Sequence, residues 1–344
     1  MSAVGNIYRS IRSGVAPAAK SLLFRTGALS ALRAVRPSDR LAILRYHAIC
    51  GPEGHSYASP GICVSPAAFE QHVRYLAAHY TVMPLPDAVQ ALQGARSLPS
   101  NAVAITFDDG YADNLAAARL LARHGLTATF YITAGCLADG EPFWPAEIRI
   151  LIAAIRDPLV RVSARGSTIE VPLGSPSERT AAVAKLTRMF KSHSIPERDA
   201  MRDQLRTAAG HPPMPRIMLK WEELGEMQRL GMTIGAHTVT HPNLPSAGLQ
   251  DATKEIAGSK SRLEGKLGVP VTMFSYPNGG AERYYTPDLM RVVREAGFAA
   301  AATSSNGFAH AQSNLFALER VEVAERLDQL VFALEVERFA FQPA

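Results

Sequence analysis

Short apolar runs rich in β-branched residues alternate along the chain with longer stretches in which apolar residues recur every three or four positions. The short runs are typical of buried strands and the longer stretches of amphipathic helices. Strands are predicted at 41–47, 80–85, 102–107, 127–133, 232–236, 271–275, 298–303 and 316–323, with helices after Ser65, at 114–123, 221–230, 249–267 and 286–296, and from Leu327 onwards. Repeated strand–helix units predict parallel strands joined by right-handed crossovers, and seven or eight units predict a barrel.

This alternation stops between residues 137 and 217. The segment instead predicts a helix at 147–154, a hairpin at 160–173 that turns at Arg165-Gly166, and two helices at 178–191 and 197–208. A segment of roughly 80 residues is too long for a connecting loop. We therefore predict a barrel domain at 41–344 with a mostly helical insertion at 137–217, preceded by a basic N-terminal segment at 1–40.

The positive charge of the chain is concentrated in its first 40 residues. They carry seven Lys or Arg and one Asp, so the remainder carries 29 basic and 30 acidic residues and is nearly neutral, although the formal net charge is +5. Nucleic-acid binding requires a basic face on the folded body, so no nucleic-acid partner is predicted. Residues 7–36 mix arginines with leucines, and such a segment could form an amphipathic helix on an anionic membrane surface. We favour the alternative that it is a helix packed on the barrel or a basic tail.

The cysteine pattern and the hydropathy profile bear on location. Cys50, Cys63 and Cys136 are scattered and form no Cys-x-x-Cys motif, which indicates neither a disulfide framework nor a thiolate zinc site and fits a reducing compartment. No apolar run has membrane-spanning length, and arginines interrupt the apolar residues near the N-terminus, unlike a secretory signal. We expect a cytoplasmic location, with the membrane surface as the alternative. The sequence gives no prediction of the oligomeric state.

Two polar motifs each follow a predicted strand. Asp108 and Asp109 end one strand, and His237 and His241, four residues apart, follow another. Two imidazoles and one of the two carboxylates form a ligand set suited to Zn²⁺, Co²⁺, Ni²⁺ or Fe²⁺, with positions left for water and substrate. The other carboxylate would be free to act as a base. Taken alone, the two aspartates could belong to a simple turn, and the two histidines could be hydrogen-bond donors within a loop. A zinc-protease helix with the motif His-Glu-x-x-His is excluded because residue 238 is Thr rather than Glu.

Together these motifs resemble the first two motifs of the polysaccharide deacetylase family, the carbohydrate esterases that share the NodB homology domain. The matching stretches are Thr106-Phe107-Asp108-Asp109-Gly110 and His237-Thr238-Val239-Thr240-His241, in the family's order. The resemblance extends from about His47 to Val323. It implies a distorted, incompletely closed (β/α) barrel of about seven parallel strands. It also assigns Asp109 and the two histidines to a divalent metal, Zn²⁺ first, and Asp108 to the general base.

The third family motif is occupied by Phe274-Ser275-Tyr276-Pro277-Asn278-Gly279. The resemblance implies that the backbone N–H of Asn278 stabilises the oxyanion of the reaction, with a simple Pro-Asn-Gly turn as the alternative. Ser275 stands where many members have an arginine that orients the base. The last strand also lacks the Leu-x-His that supplies the general acid elsewhere. Some branches resemble this chain in both respects and carry Tyr-His on the first strand, so His47 is a candidate acid or substrate ligand, with a structural role as the alternative.

A replacement for the missing arginine is predicted on the last strand. Arg320 alternates there with Phe316 and Leu318 and therefore shares their face. If that face is the barrel interior, the guanidinium must be paired, and Asp108 needs a positively charged partner. We predict a cross-barrel Arg320–Asp108 pair; a surface pair with Glu322 is the alternative.

The resemblance implies metal-dependent N-deacetylation of an N-acetylated sugar in a poly- or oligosaccharide, or in its lipid- or nucleotide-linked precursor. The alternatives are hydrolysis of a non-sugar C–N bond, hydrolysis of an O-acetyl ester, and a barrel that binds glycans without turnover. We predict substrate contacts for Tyr111, Tyr276 and Pro277 near the rim motifs. In the insertion, which is expected to line the substrate groove, we predict them for Trp144 and its neighbour Phe143.

Overall fold

The computed structural model describes residues 15–279 and 284–338, so residues 7–14 of the segment considered for membrane contact lie outside the described chain. The strands within these ranges are β1 (Ala42–Tyr46), β2 (Thr81–Val82), β3 (Ala102–Phe107), β4 (Thr129–Ile132), β5 (Leu159–Ala164), β6 (Ser167–Pro172), β7 (Thr233–Ala236), β8 (Met273–Ser275), β9 (Ala300–Asn306) and β10 (Leu318–Glu322).

Seven strands form a parallel barrel in the order β1-β10-β9-β8-β7-β4-β3, and β3 pairs back to β1. The short β2 adds to the sheet beside β3. The predicted α/β barrel of about seven parallel strands is confirmed. It differs from the expectation in one respect: β1 and β3 pair from Ala42↔Val103 to Tyr46↔Phe107, so the ring is closed rather than incomplete.

The helices mostly follow the predicted pattern. They are α1 (Pro17–Arg25), α2 (Ala28–Val35), α3 (Pro66–His79), α4 (Leu85–Leu92), α5 (Asn114–Arg123), α6 (Trp144–Ala154), α7 (Pro176–Lys191), α8 (Ile195–Ala208), α9 (Trp221–Arg229), α10 (Leu244–Ala247), α11 (Leu249–Leu267), α12 (Pro287–Glu295) and α13 (Leu327–Phe332). Ser65 and Thr286 each accept a backbone hydrogen bond as N-caps of α3 and α12. The helix α4 was not predicted, because residues 80–85 had suggested an extended stretch.

Alternation along the strands separates two apolar layers. The inward-facing layer contains Leu41, Ile43, Ala102, Ala104, Tyr131, Met273, Ala300, Ala302 and Leu318, together with apolar residues of α4. The outward-facing layer, which meets the surrounding helices, includes Leu44, Tyr46, Val103, Ile105, Phe107, Phe130, Ile132 and Phe274. Because α4 packs with residues near the strand beginnings, it covers that end of the barrel. At the opposite rim, where the strands end, the barrel is bordered by the loops that follow the strands.

The insertion between β4 and α9 contains α6, the β5–β6 hairpin, α7 and α8, and it has an apolar cluster of its own. The hairpin turns at Arg165 and Gly166, which have positive φ angles of 50° and 73°. Glu147 in α6 is buried and forms ion pairs with Arg202 and Arg206 of α8. The helices and the hairpin predicted for this segment are therefore present.

The helices α1 and α2 pack against the C-terminal part of the chain. Lys20 Nζ lies 4.6 Å from the ring centroid of Phe332, and Ser21 Oγ donates to Asp328 at 2.5 Å. Arg33 forms a 3.3 Å ion pair with Glu335. These contacts agree with the favoured interpretation of a helix packed on the barrel domain, whereas membrane contact through residues 7–36 stays a prediction. None of the described helices combines the length and apolar character needed to cross a membrane.

Candidate active site

The predicted functional residues converge on the rim at which the barrel strands end. Asp108 and Asp109 follow β3, His237 follows β7, and Arg320 lies in β10. The loops there are held in unusual backbone conformations, since Asp109, Thr238, His241 and Asn278 have positive φ angles of 76°, 65°, 57° and 73°. Left-handed conformations at non-glycine residues are costly and cluster at functional sites. The backbone therefore points to this rim independently of the side chains.

Asp109, His237 and His241 form a buried cluster whose potential ligand atoms all lie within 4.8 Å of one another. Asp109 Oδ1 is 3.4 Å from His237 Nε2 and 3.3 Å from His241 Nε2. His237 Nδ1 donates to the carbonyl oxygen of Ser275 at 2.8 Å, which turns Nε2 towards the cluster. Burial lowers the pKa of His241 to about 4, so its imidazole is neutral and can act as a ligand. The donor set therefore fits a divalent cation.

The loop between the two histidines is shaped by a residue that the sequence analysis missed. Glu255 in α11 accepts hydrogen bonds from the backbone N–H groups of Val239 and Thr240 at 2.8 and 2.7 Å, and from the Thr240 hydroxyl at 2.7 Å. This carboxylate satisfies backbone donors that the left-handed turn at Thr238 leaves without partners in a helix or strand. Glu255 lies some 15 residues downstream of the loop that it supports, so no local motif could have identified it.

Arg320 and Asp108 form a bidentate ion pair inside the barrel, with Nη1–Oδ1 and Nη2–Oδ2 distances of 2.7 and 2.6 Å. The predicted cross-barrel pair is thus present. Arg320 also donates to the Thr303 carbonyl at 2.7 Å, and to the hydroxyls of Thr106 and Ser275 at 3.2 Å each. Burial alone would raise the pKa of Asp108, but the charge and hydrogen bonds of Arg320 outweigh it and hold this pKa well below its usual value. Asp108 is consequently ionised.

Ser275 explains how the arginine can come from the last strand instead of the third motif. Its small side chain faces the interior and accepts a hydrogen bond from Arg320. An arginine at position 275 would compete for the same interior volume and for the same carboxylate. The serine at position 275, where many family members have arginine, therefore leaves space for Arg320 of β10 to pair with Asp108.

His47 lies on the cleft side of the ion pair, with its Nε2 3.8 Å from Asp108 Oδ2. That separation is too long for a hydrogen bond. Burial lowers the pKa of His47 even though Asp109 and Asp108 act in the opposite direction, so its imidazole is largely neutral near pH 7. The structure therefore brings His47 next to Asp108 at the cleft.

The loop after β8 brings Asn278 and Gly279 to the cleft. Asn278 Nδ2 donates to the carbonyl oxygen of Pro242 at 3.1 Å, which ties this loop to the histidine loop. A Cβ atom at Gly279 would lie 2.0 Å from Ser304 Oγ, so the loop can approach β9 this closely only with glycine. The backbone of the third motif therefore packs closely against β9.

A cleft of about 1580 Å³ opens above the metal-ligand cluster. The insertion lines one wall of it with Phe143, Arg149 and Lys191, as predicted for this segment. Tyr111 also lines the cleft, and its ring meets that of Phe143 edge to face at a centroid distance of 5.7 Å. The ring of Phe143 packs in turn against His241 at 5.0 Å. Aromatic side chains thus border the cluster on the insertion side.

Three predicted substrate contacts are wrong. Tyr276 is only 1% exposed and donates to the Phe316 carbonyl at 3.1 Å. Because Ser275 faces the interior, the next side chain must point outward into the helix layer. Pro277 is buried as well and does not line the cleft. Trp144 is 2% exposed, and its Nε1 donates to the His241 carbonyl at 2.8 Å, so it supports the histidine loop instead of stacking on a sugar.

Comparisons with known proteins identify the family and the fold. A family model described as polysaccharide deacetylase matches residues 95–301. The Bacillus subtilis (strain 168) protein named "Putative polysaccharide deacetylase YxkH" is 27% identical over 116 residues, which span 34% of this chain and only 40% of that protein. The Streptococcus pyogenes deacetylase PplD, solved in complex with acetate, superposes with a TM-score of 0.57 at 19% identity, covering 90% of this chain and 100% of that one. IcaB from Ammonifex degensii gives a TM-score of 0.56 at 19% identity, with 87% and 98% covered. At such identities the two structures show a shared fold.

Proposed function

Because this chain belongs to the polysaccharide deacetylase family, we propose that it is a metal-dependent hydrolase that removes the acetyl group from an N-acetylated sugar of a poly- or oligosaccharide. The observation that carries the proposal is the placement of the Asp109–His237–His241 cluster beside the ionised, arginine-paired Asp108 at one open cleft. This arrangement places a set of metal ligands next to a carboxylate that can act as a base. A barrel that only binds glycans has no need for either group.

The proposed metal ligands are Asp109, His237 and His241, and the donor chemistry favours Zn²⁺ over Co²⁺, Ni²⁺ or Fe²⁺. A divalent cation bound there supplies Lewis-acid activation of water and of the substrate carbonyl. Asp109, His237 and His241 would hold the cation, and no fourth protein ligand belongs to this cluster in the described part of the chain, which would leave positions for water and substrate.

The proposed roles of the other residues follow from their positions around Asp108. Asp108 takes a proton from the attacking water, and Arg320 fixes the direction of its carboxylate. The backbone N–H of Asn278 donates to the carbonyl oxygen as negative charge develops on it. The proton taken up at Asp108 would then pass to the leaving amine nitrogen through His47, which lies next to Asp108 at the cleft and, being neutral near pH 7, can accept that proton before donating it. Tyr111 and Phe143 border the bound sugar.

The comparisons support the type of reaction, since the Streptococcus pyogenes deacetylase was solved with acetate, the product that such a hydrolysis releases. For the whole chain we propose a basic segment at 1–40 and a deacetylase domain at 41–344, with an insertion at 137–217 that shapes the substrate cleft. The glycan is the proposed partner, and the cytoplasm, with the membrane surface as alternative, is the proposed location.

Acetate release from a panel of N-acetylglucosamine oligomers tests the proposal. We expect release by the Zn²⁺-loaded protein, loss of release after treatment with a chelator, and recovery when Zn²⁺ is added back. Asp109→Ala should lose bound metal and activity together. O-acetylated oligomers and a ring amide serve as comparison substrates. Release from those alone, or full activity in the metal-free protein, would contradict the proposal.

A further inference from the structure

Arg149 is the one arginine in the described part of the chain that is partly buried and yet makes no hydrogen bond or ion pair. By contrast, Arg198, Arg206 and Arg320 each donate to a carboxylate or a carbonyl oxygen. A guanidinium has five N–H donors and stays charged, so partial burial without an acceptor is unfavourable. In an open cleft such donors are satisfied by water or by oxygen atoms of a bound ligand.

Arg149 projects from α6 into the wall of the cleft. Burial lowers its pKa, and the ionisable groups that oppose this effect are Tyr111 and Cys63. Neither of these groups carries a charge at neutral pH, because burial raises the pKa of both. No carboxylate of the described chain therefore balances Arg149.

All the charged groups on the wall that the insertion contributes to the cleft are positive. Besides Arg149 it presents Lys191 and the hydroxyls of Thr180 and Thr187, and none of the described insertion residues that line the cleft is Asp or Glu. Lys191 acts electrostatically on His241, which places this wall beside the metal-ligand cluster. Apart from Asp108 and Asp109, the carboxylates that line the cleft are Glu319 and Glu322, and both lie on a different element, β10.

We propose that Arg149 binds an oxyanion carried by the substrate next to the N-acetylated sugar that reacts. This inference rests on the proposed function and specifies its substrate class: a glycan bearing a uronic acid carboxylate, or a sugar bearing a phosphate. Both anions present two oxygens that match the planar donor pair of a guanidinium. A neutral glycan offers hydroxyl oxygens as acceptors but no negative charge to balance the guanidinium.

The test compares probes that differ in charge. We would use an oligosaccharide that alternates N-acetylglucosamine with glucuronic acid, the same oligosaccharide with its carboxylates reduced to alcohols, UDP-N-acetylglucosamine and a neutral N-acetylglucosamine tetramer. Calorimetry gives the dissociation constant of each for the full-length, Zn²⁺-loaded protein. We expect at least one anionic probe to bind about 10- to 100-fold more tightly than its neutral counterpart, the range of a charge-assisted hydrogen bond.

Arg149 variants distinguish this site from binding of the anion to the metal. Arg149→Gln should abolish the preference for the anionic probe, whereas Arg149→Lys should retain part of it because the charge remains. Arg188→Gln removes an exposed arginine of α7 that does not line the cleft, and it should leave the preference unchanged. Dependence on Arg149 with the glucuronic acid probe alone would identify a carboxylate, and with UDP-N-acetylglucosamine alone a phosphate.

Equal binding of anionic and neutral probes, or a preference that survives in Arg149→Gln, would overturn the inference. Acetate release from the neutral tetramer reports on the proposed function separately. If the tetramer is deacetylated equally well by the wild type and by Arg149→Gln, and no anionic probe binds more tightly, only the anion site fails. If Arg149-dependent binding occurs while no probe releases acetate, the proposed function fails and the anion site stands.

Discussion

The two faces of the barrel strands carry different chemistry although they alternate residue by residue. Phe107 points outward into the apolar helix layer, and the next residue, Asp108, points into the cleft. Ser275 contacts Arg320 inside the barrel, whereas Tyr276 packs against Phe274 outside. Each of these strands thus supplies a cleft or ion-pair residue from one face and a packing residue from the other. Substitutions at adjacent positions should therefore have separable effects on activity and on stability.

The inner face can hold an ion pair because several of its other positions are small. Alanines at several inward-facing positions, such as Ala104 and Ala302, leave volume for large side chains. Arg320 occupies part of that volume, with its guanidinium carbon 5.8 Å from the ring centroid of Tyr131. The outer layer is filled differently, by close aromatic contacts such as the stack of Phe107 on Phe130 at 4.5 Å.

The largest effect is expected from the pair of neighbours at the end of β3. Asp108→Asn keeps the shape and removes the proposed base, so turnover should fall about 10²- to 10⁴-fold with metal content unchanged. Phe107→Leu should instead lower the free energy of unfolding by about 1–2 kcal/mol, because it removes aromatic packing, and leave kcat within a few-fold of wild type. Acetate release, metal analysis and urea unfolding measure these effects.

Two outcomes would contradict this contrast between Phe107→Leu and Asp108→Asn. If Phe107→Leu reduces kcat as strongly as Asp108→Asn does, the outer face takes part in setting the catalytic geometry. If Asp108→Asn retains near wild-type turnover, Asp108 is not the base, and the adjacent His47 becomes the residue to test.

The buried ion pair should dominate stability on the inner face. Arg320→Met leaves the Asp108 charge buried and unpaired, which typically costs about 3–5 kcal/mol of unfolding free energy. The double variant Arg320→Met/Asp108→Leu removes both charges and should recover most of that loss while remaining inactive. Urea unfolding of the two variants and the wild type measures the effect.

An exposed pair provides the matched control for that experiment. Arg161 and Glu170 pair across the insertion hairpin at 2.8 Å, with side chains 67% and 59% exposed. Arg161→Met should change the free energy of unfolding by less than about 1 kcal/mol, because solvent screens the pair. If Arg161→Met and Arg320→Met lowered the free energy of unfolding by similar amounts, the buried Arg320–Asp108 pair would be no more important for stability than an exposed pair.

Much of this arrangement could be predicted from the sequence because its signals are local. Strand ends are marked by the abrupt change from apolar residues to Asp108 or His237, and parallel strands bring such ends to one rim. The partner of Asp108 followed from alternation, since Arg320 shares a face with Leu318 and a buried guanidinium needs an acceptor. The ion pair in the structure agrees with that reasoning.

The failures have a different physical origin. Alternation, applied to Ser275, would also have assigned Tyr276 to the outer layer, so that error was avoidable. The burial of Trp144 could not have been foreseen in the same way, because it depends on how α6 of the insertion packs on the histidine loop. The role of Glu255 likewise depends on the docking of α11. Contacts between distant elements leave no periodic signal in either segment.

A polar group in the outer layer should make the stability of the protein depend on pH. His72 of α3 is fully buried, and its Nδ1 lies 3.2 Å from the Tyr46 hydroxyl. Burial lowers the pKa of His72 to about 4, although Glu325 opposes this shift. In the unfolded chain a histidine has a pKa of about 6.5, so between these values the unfolded state binds more protons than the folded state. The stability that depends on neutral His72 is present above about pH 6.5 and is lost as the pH falls towards 4.

Unfolding free energies measured in urea from pH 7 to pH 4 should therefore fall less steeply for His72→Gln than for the wild type. The difference between the two curves should reach roughly 3 kcal/mol at the acid end, since one pKa unit corresponds to about 1.4 kcal/mol. His211→Gln, which removes an exposed histidine, controls for the loss of an imidazole as such. Parallel curves for the wild type and His72→Gln would mean that the outer layer tolerates a charged imidazole. The two faces would then differ less in their tolerance of charge than the contacts indicate.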